Sequence, residues 1–574
     1  MYISQVYIEN FRNFTTIFVP LKQFNIIAGK NDIGKSNLIE AINILLYNSK
    51  GNYYAKSLSK YDFNAGSLHK FEETMQEIYE GCKTKFDVET YVNSLFEHAP
   101  KVVIRLRFSD AKNAYEKGLL KSWLNGDIES QYFEIEYKYY LKNRKKLIQR
   151  ITELNSENLL DNHNSDFSMI LEFYDYELVS TNNGKTIDFT KIKNFSANIV
   201  NAERDTFSSG DTPTATKIIA RIVDDGLNIK DRANLINQYN TFFDEIQKLD
   251  SFRCIYKDIT DQNESIKQFI DEIRLVPSAK KYRDILENIT LSYGNDMLFQ
   301  KGLGIRNLIF LLTLYSYFLS NNHERFNLVC VEEPESHLDI NNMKIVIEFF
   351  QKSKDRNSMS QLLLSTHSNQ IINKLDLGSI TLLVDDHTAI SLSNVDPSLI
   401  YYLAKRENFD TLNMLFATKL VLVEGATEEI YINCILQKEK INNIRVVSIG
   451  QKGFKILIDA WKAFHVNSTT DKLGVVRDYD YQDKAKQEHE AYNSDVINVS
   501  TARGKEFEED LVKQGTNLSQ LNNLFATKFN EVQMYEYMTD DKLNCIIKVC
   551  KAIESGVKFA VPNYIDTLIE WIKR

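Results

Sequence analysis

The 574-residue chain predicts an α/β protein of two units. A nucleotide-binding unit spans 1–204 and 292–400, interrupted by a helical insertion at 205–291, and a second α/β unit with C-terminal helices spans 401–574. Three observations predict this. GKNDIGKS, Gly29 to Ser36, lies between an apolar run and a helical stretch. The strand-like NLVCV, Asn327 to Val331, ends in Glu332 and Glu333. KLVLV, Lys419 to Val423, ends in Glu424-Gly425, and a later apolar run leads into Asp478 and Asp480.

YISQVYIENFRNF and IFVPLKQFNIIAG alternate or run apolar, with β-branched and aromatic residues, as strands do. Phe24 to Ala28 feeds the phosphate loop and Asn37 to Tyr47 leaves it as a helix. The loop fits G-x-x-x-x-G-K-[ST], in which backbone N–H groups cradle phosphates, Lys35 reaches the terminal phosphates and Ser36 meets Mg²⁺. With only 21 glycines in the chain, composition alone does not produce this match. Gly29, Asn31, Gly34, Lys35, Ser36 and Asn37 are therefore nucleotide-binding candidates. Lys142 to Lys146 (KNRKK) is the densest basic cluster; between FEIEYKYYL and LIQRI it reads as the solvated end of a hairpin rather than a DNA-facing finger.

From about Asp205 to Leu291 the chain is polar with apolar residues three and four apart, as in DRANLINQYNTFFDEIQKLD and ESIKQFIDEIRLV. Fewer than a hundred residues are too few for a long coiled-coil arm, so a compact dimerisation module is expected. Strand signals return in FNLVCVEEPE, QLLLSTHS and ITLLVDD. Pro397 to Thr418 reads as a connecting helix without a Gly- or Ser-rich linker, so the second unit should be held against the first.

The acids after NLVCV stand at a strand's C-terminal end. In P-loop ATPases the first such acid holds Mg²⁺ through water and the second polarises the attacking water. Glu332 stands where Asp is usual, and Glu333 is the general-base candidate. QKGLGIRN, Gln300 to Asn307, is a turn entering a helix, and its Gly302 and Gly304 suit it to offer N–H groups to a γ-phosphate across a dimer interface. His367 follows another apolar strand, where an imidazole can donate to the same phosphate.

The net charge of −9 excludes a polycation that binds nucleic acid by bulk attraction, so any DNA contact is local. Six cysteines at 82, 254, 330, 434, 545 and 550 form no C-x-x-C pair, against a disulfide framework or zinc ribbon. No apolar run approaches the roughly 20 residues of a spanning helix, and MYISQVYIENFRNF carries no secretion signal. A cytoplasmic protein without a membrane partner is expected.

IENFRNF, the phosphate loop, QKGLG, EEPESHLD and STHS, in this order, resemble the ABC-type ATPase heads of the RecF and SMC class. That resemblance implies ATP sandwiched between two heads, with Gly302 and Gly304 of one subunit facing Lys35 of another.

In the second unit Glu428 follows Glu424 by one helical turn. Alternate strand residues point the same way, so Asp478 and Asp480 are expected to face one ion while Glu424 arrives from a neighbouring parallel strand end. Oxygen-only ligands suit Mg²⁺ or Mn²⁺. The pattern, hhhEG followed by hhxDxD, resembles a TOPRIM domain.

An ABC-type P-loop ATPase domain followed by a C-terminal TOPRIM domain resembles the OLD (overcoming lysogenization defect) family. The resemblance implies two-metal DNA cleavage with ATP as a further cofactor. It makes Glu424, Glu428, Asp478 and Asp480 metal ligands, Glu508 and Asp510 ligands completing the second ion, and Lys542 the transition-state cation. It implies an ATP-regulated DNA endonuclease or nickase in defence against phage or foreign DNA. The assembly would be a homodimer or tetramer, working alone or beside a helicase or a reverse transcriptase with its DNA product. The alternative is an ATPase clamp whose TOPRIM unit binds DNA or a partner without cutting.

Overall fold

Alternating apolar residues near the start form two antiparallel strands, Tyr2–Phe11 and Phe14–Pro20, with Val6 opposite Val19 and Ile8 opposite Ile17. Val102–Ser109, Tyr132–Leu141, Leu124–Asn125 and Tyr174–Ser180 extend them into a six-stranded sheet. This computed structural model describes the chain apart from residues 49–56, 84–85, 126–131, 158–159, 161–165, 182–183, 188, 201–219, 221–222, 225–226, 250–290, 321–325, 337, 353–358, 369–371, 373–376, 395–416, 451–452 and 466–469.

The phosphate loop belongs to a second sheet. Every residue of Phe24–Gly29 is buried, as a strand covered on both faces requires. The strand order is Ala389–Ser391, Ile380–Leu383, Phe24–Gly29, Ser360–Thr366, Phe326–Glu332, Phe195–Val200 and Tyr47–Asn48, parallel except for the edge strand Ala389–Ser391. Three adjacent strands thus end side by side in Gly29, Thr366 and Glu332. Ligands of parallel sheets bind at such C-terminal ends.

The third sheet is fully parallel, in the order Arg445–Ser448, Lys419–Val423, Lys472–Arg477 and Ile497–Thr501. Helices Ala426–Lys438, Lys542–Glu554 and Asn563–Lys573 share one buried cluster with Val421, Val423 and Val476 of this sheet. Leu420, Leu422, Leu473 and Val475 belong to another, with helix Phe454–Phe464 and with Phe24, Ile26 and Leu362 of the second sheet. The second unit is packed onto the first, although most of the connecting helix expected over Pro397 to Thr418 lies outside the described residues.

Two expectations are corrected. KNRKK is no hairpin end: the strand stops at Leu141 and helix Arg144–Ser156 begins inside the cluster, its Leu147, Ile151 and Leu154 buried at helical spacing. Asp478 and Asp480 are not alternate residues of a strand, because the strand stops at Arg477 and Asp480 occupies a left-handed turn with φ 50°. Of the insertion, helix Ile229–Lys248 is described and matches its periodicity, while 250–290 lies outside the described residues. Among the described residues no helix is long and apolar enough to cross a membrane.

Candidate functional sites

The phosphate loop is shaped by sterics. Gly34 has φ +109°, and a Cβ there would stand 2.5 Å from Asn13 Nδ2. Asn13 Nδ2 donates to the Ile33 carbonyl at 2.8 Å and Asn37 Nδ2 donates to Asn13 Oδ1 at 2.6 Å. Arg12 Nη1 donates to Asn37 Oδ1 at 3.0 Å, and Arg12 pairs with Asp62. The IENFRNF turn thereby braces the loop from below, and Asn37 serves that brace. Lys35 is buried, its Nζ donating to the carbonyls of Gly29 and Lys30 at 2.8 Å each. Burial pushes its ammonium below the ordinary value, against the charges of Glu333, Glu335, Asp32 and Glu332. Asn31 and Ser36 are exposed.

Opposite the loop, Glu333 holds φ 43° and its N–H donates to the Ser365 carbonyl at 2.8 Å. His367 Nδ1 lies 3.4 Å from Glu333 Oε1. Glu335 Oε1 accepts from Thr366 Oγ1 at 2.6 Å and from the His367 N–H at 3.2 Å, clasping the two strand ends together. Lys35, Glu332, Glu333 and His367 therefore share one locale, with Glu335 as a member that sequence reading passed over. Gly302 is exposed at the start of helix Leu303–Ser320, with open space where a Cβ would stand, and Gly304 lies in its first turn.

The carboxylates gather at the C-terminal edge of the third sheet. Glu424 Oε2 accepts the Asp478 N–H at 3.2 Å, and Asp478 Oδ1 accepts the Phe507 N–H at 3.0 Å. Glu428 is 4% exposed; its Oε2 accepts the Gly425 N–H and Thr427 Oγ1, both at 3.1 Å, closing its own helix N-terminus. Glu508, 1% exposed, receives Lys542 Nζ at 3.3 Å, and Lys542 also reaches Glu506 Oε2 at 2.6 Å. Burial, then Glu428, Glu424 and Glu508, push Asp478 up to about 9. Burial likewise raises Glu424, Glu428 and Glu508. The donor chemistry suits divalent cations, since all the donors are oxygens and Glu508 Oε1 is buried with no hydrogen-bond partner among the described residues, although no three of these carboxylates bring ligand oxygens within 4.8 Å of one another.

Two matches to protein-family models cover most of this frame. The model described as AAA ATPase domain matches residues 1–372, and that described as overcoming lysogenization defect protein-like, TOPRIM domain, matches residues 415–472. The chain belongs to the AAA ATPase domain family over 1–372 and carries an OLD-like TOPRIM domain after it. It is similar to Endonuclease GajA of Bacillus cereus (strain HuB5-5), at 23% identity over 96% of this chain and 90% of that one. Endonuclease GajA of Bacillus cereus (strain VD045) shares 24% identity over 76% and 68%. An ATP/GTP phosphatase of Helicobacter pylori shares 22% over 71% and 99%. Among solved structures, an SMC head bound to the C-winged helix domain of ScpA aligns at a TM-score of 0.31 with 14% identity, covering 69% of this chain and 100% of that one.

Within this two-domain frame the structure sorts the sequence candidates. Glu424, Glu428, Asp478, Glu508 and Lys542 come together. Asp480 is exposed on its turn, its N–H held by the Lys505 carbonyl at 2.8 Å, and its charge helps to raise Glu424. Asp510 is turned to another task, accepting the N–H groups of Arg503 at 2.7 Å and Gly504 at 2.8 Å. Glu506 was missed. It stands just before helix Phe507–Lys513 without capping it by its side chain, accepts Tyr535 Oη at 2.7 Å and, despite burial, is held below its ordinary value by Lys542 and Tyr535. The usable signal was spacing: Glu506 and Glu508 straddle the buried Phe507.

Proposed function

We propose that this chain is a DNA endonuclease that cuts through its TOPRIM acid cluster with Mg²⁺ or Mn²⁺ and is regulated by ATP in its N-terminal domain. The observation that carries this reading is the convergence of Glu424, Glu428, Asp478 and Glu508 beside Lys542, with burial enough to hold a proton on Asp478 up to about 9. The likeness to Endonuclease GajA over 96% of the chain supports it.

Glu424, Glu428, Asp478 and Glu508 would hold the cations, with Asp480 at the rim and Asp510 supporting the loop from behind. Two divalent ions, when bound, stabilise both the attacking and the leaving oxygen of an in-line displacement. Lys542, at the start of its helix, offsets the negative charge that develops on the phosphorus centre. Glu506 and Tyr535 fix where that ammonium points. In the first domain Lys35 and Ser36 would receive the ATP phosphates and their Mg²⁺, with Glu332 nearby. Glu333 would orient water and His367 would contact the terminal phosphate. Gly302 and Gly304 complete the site from a second subunit. The likeness to Endonuclease GajA supports a role in defence against phage or foreign DNA.

The test is plasmid cleavage with Mg²⁺ or Mn²⁺. Asp478→Ala is expected to cut nothing while keeping the wild-type circular dichroism spectrum. Cutting at the wild-type rate by this variant removes the acid cluster from the chemistry.

A further inference from the structure

Two cysteines 116 positions apart meet in the second unit. Cys434 lies on helix Ala426–Lys438 and Cys550 on helix Lys542–Glu554. Cys434 Sγ lies 3.7 Å from the Cys550 carbonyl and Cys550 Sγ lies 4.0 Å from the Ile430 carbonyl, one helical turn before Cys434, so the two thiols are neighbours across the helix contact. Both side chains are nearly buried, at 7% and 6% exposure. The same two helices begin with Glu428 in the first turn and Lys542 at the first position, so a bond between them would tie together two walls of the candidate active site.

We propose that Cys434 and Cys550 form an oxidisable dithiol, which hydrogen peroxide converts into an intramolecular disulfide that clamps these two helices. The chemistry is asymmetric in the way such a pair needs. The neighbouring Cys550 thiol holds the Cys434 thiol below its ordinary value, against burial and the charge of Glu554 and with help from Lys438. Cys434 in turn, together with burial, pushes Cys550 up. Cys434 is then the thiolate nucleophile and Cys550 the resolving thiol. In the first step the Cys434 thiolate attacks one peroxide oxygen, the O–O bond breaks, and hydroxide leaves with formation of a sulfenic acid. In the second step Cys550 sulfur attacks the Cys434 sulfur and the S–O bond breaks. The departing hydroxide takes the Cys550 proton as water. Two thiols are oxidised and one peroxide is reduced to two waters. Cys330 and Cys545 differ: burial is the leading effect on each and pushes its thiol up.

This clamp goes beyond the nuclease reading and does not depend on it. The experiment uses the reduced full chain, treated with hydrogen peroxide, denatured and alkylated. Free thiols are expected to fall from the six in the sequence to four, with one cross-linked peptide pair holding Cys434 and Cys550. Dithiothreitol should restore all six. Closing a loop of over a hundred residues restricts the unfolded chain, so the oxidised protein should melt at least a few degrees higher than the reduced one. Cys550→Ser removes the resolving thiol and should leave a dimedone-reactive sulfenic acid on Cys434, with no rise in Tm. Persistence of six thiols, a disulfide through any other cysteine, or an unchanged Tm after the 434–550 bond has formed each overturns the clamp.

Discussion

Four carboxylates drawn out of water cannot all keep their charge unless cations share the space, and Asp478 shows the cost. Its folded value of about 9 lies far above the ordinary 3.8. Between those values the metal-free folded chain keeps a proton that the unfolded chain has released, so stability is greatest at the acid end of this window and is lost as pH rises toward 9, by at most about 1.4 kcal/mol per pH unit. Glu424, Glu428 and Glu508 are shifted in the same direction, by burial first. Urea unfolding in EDTA should therefore give a lower midpoint at pH 8 than at pH 6, and Mn²⁺ should shrink the difference by replacing the proton. Asp478→Asn should flatten the EDTA slope. Equal EDTA midpoints in the wild type would mean that these acids ionise without penalty, against the burial described.

At the scale of elements, the candidate site hangs on helix N-termini, and each has a separable role. Glu428 both closes the start of helix Ala426–Lys438 and faces the acid cluster. Glu428→Gln keeps an oxygen to accept the Gly425 N–H but loses the charge, so in EDTA it should be at least as stable as wild type while losing much of the Mn²⁺-induced rise in Tm. Glu428→Ala should lose the cap as well, costing about 0.5–2 kcal/mol. A full Mn²⁺ response in Glu428→Gln would remove this residue from the ligand set. Lys542 joins two acids, one nearly buried and one partly so. Lys542→Met leaves both without their cation and should cost about 1–3 kcal/mol by chemical denaturation, together with cleavage. A stable but inactive Lys542→Met would confine the lysine to chemistry.

These elements also show what could be read in advance. Strand-then-acid patterns located Glu332, Glu333, Glu424 and Asp478 because a parallel strand's C-terminal end is written locally, as an apolar run followed by a charge. Asp480 was misread because period-two logic applies only while the strand lasts, and the chain leaves the sheet at Arg477. Glu506, Glu335 and the Cys434–Cys550 contact were not legible for a different reason: each acts through a partner tens to over a hundred positions away. Asp510 shows the converse. Its charge at a helix start was visible, but the choice between an ion and the N–H groups of Arg503 and Gly504 is made by the loop's path.

For the whole molecule, a single chain leaves two surfaces unsatisfied. Gly302 is exposed at the start of its helix, and in the proposed sandwich it would serve a nucleotide held by a second subunit. Helix Ile229–Lys248 exposes Ile229 at 88% and Phe242 at 58%, with Leu235 and Ile236 also exposed, a pattern that asks for a partner surface. Pairing of like surfaces gives a closed dimer, and because the two surfaces are distinct they can also combine into a tetramer. Light scattering at micromolar concentration should then report at least twice the 66.6 kDa chain mass, with or without an ATP analogue. Phe242→Glu should lower the mass if the helix pairs, since it places a charge at the middle of the apolar face. Lys35→Ala should abolish ATP binding yet still allow metal-dependent cutting, because Lys35 opens the helix that follows a strand of a different sheet from the one that carries the acid cluster. Its cleavage should no longer respond to added ATP. A monomer under all conditions would sink the sandwiched nucleotide site, and Lys35→Ala cleavage that still follows ATP would place control elsewhere in the chain.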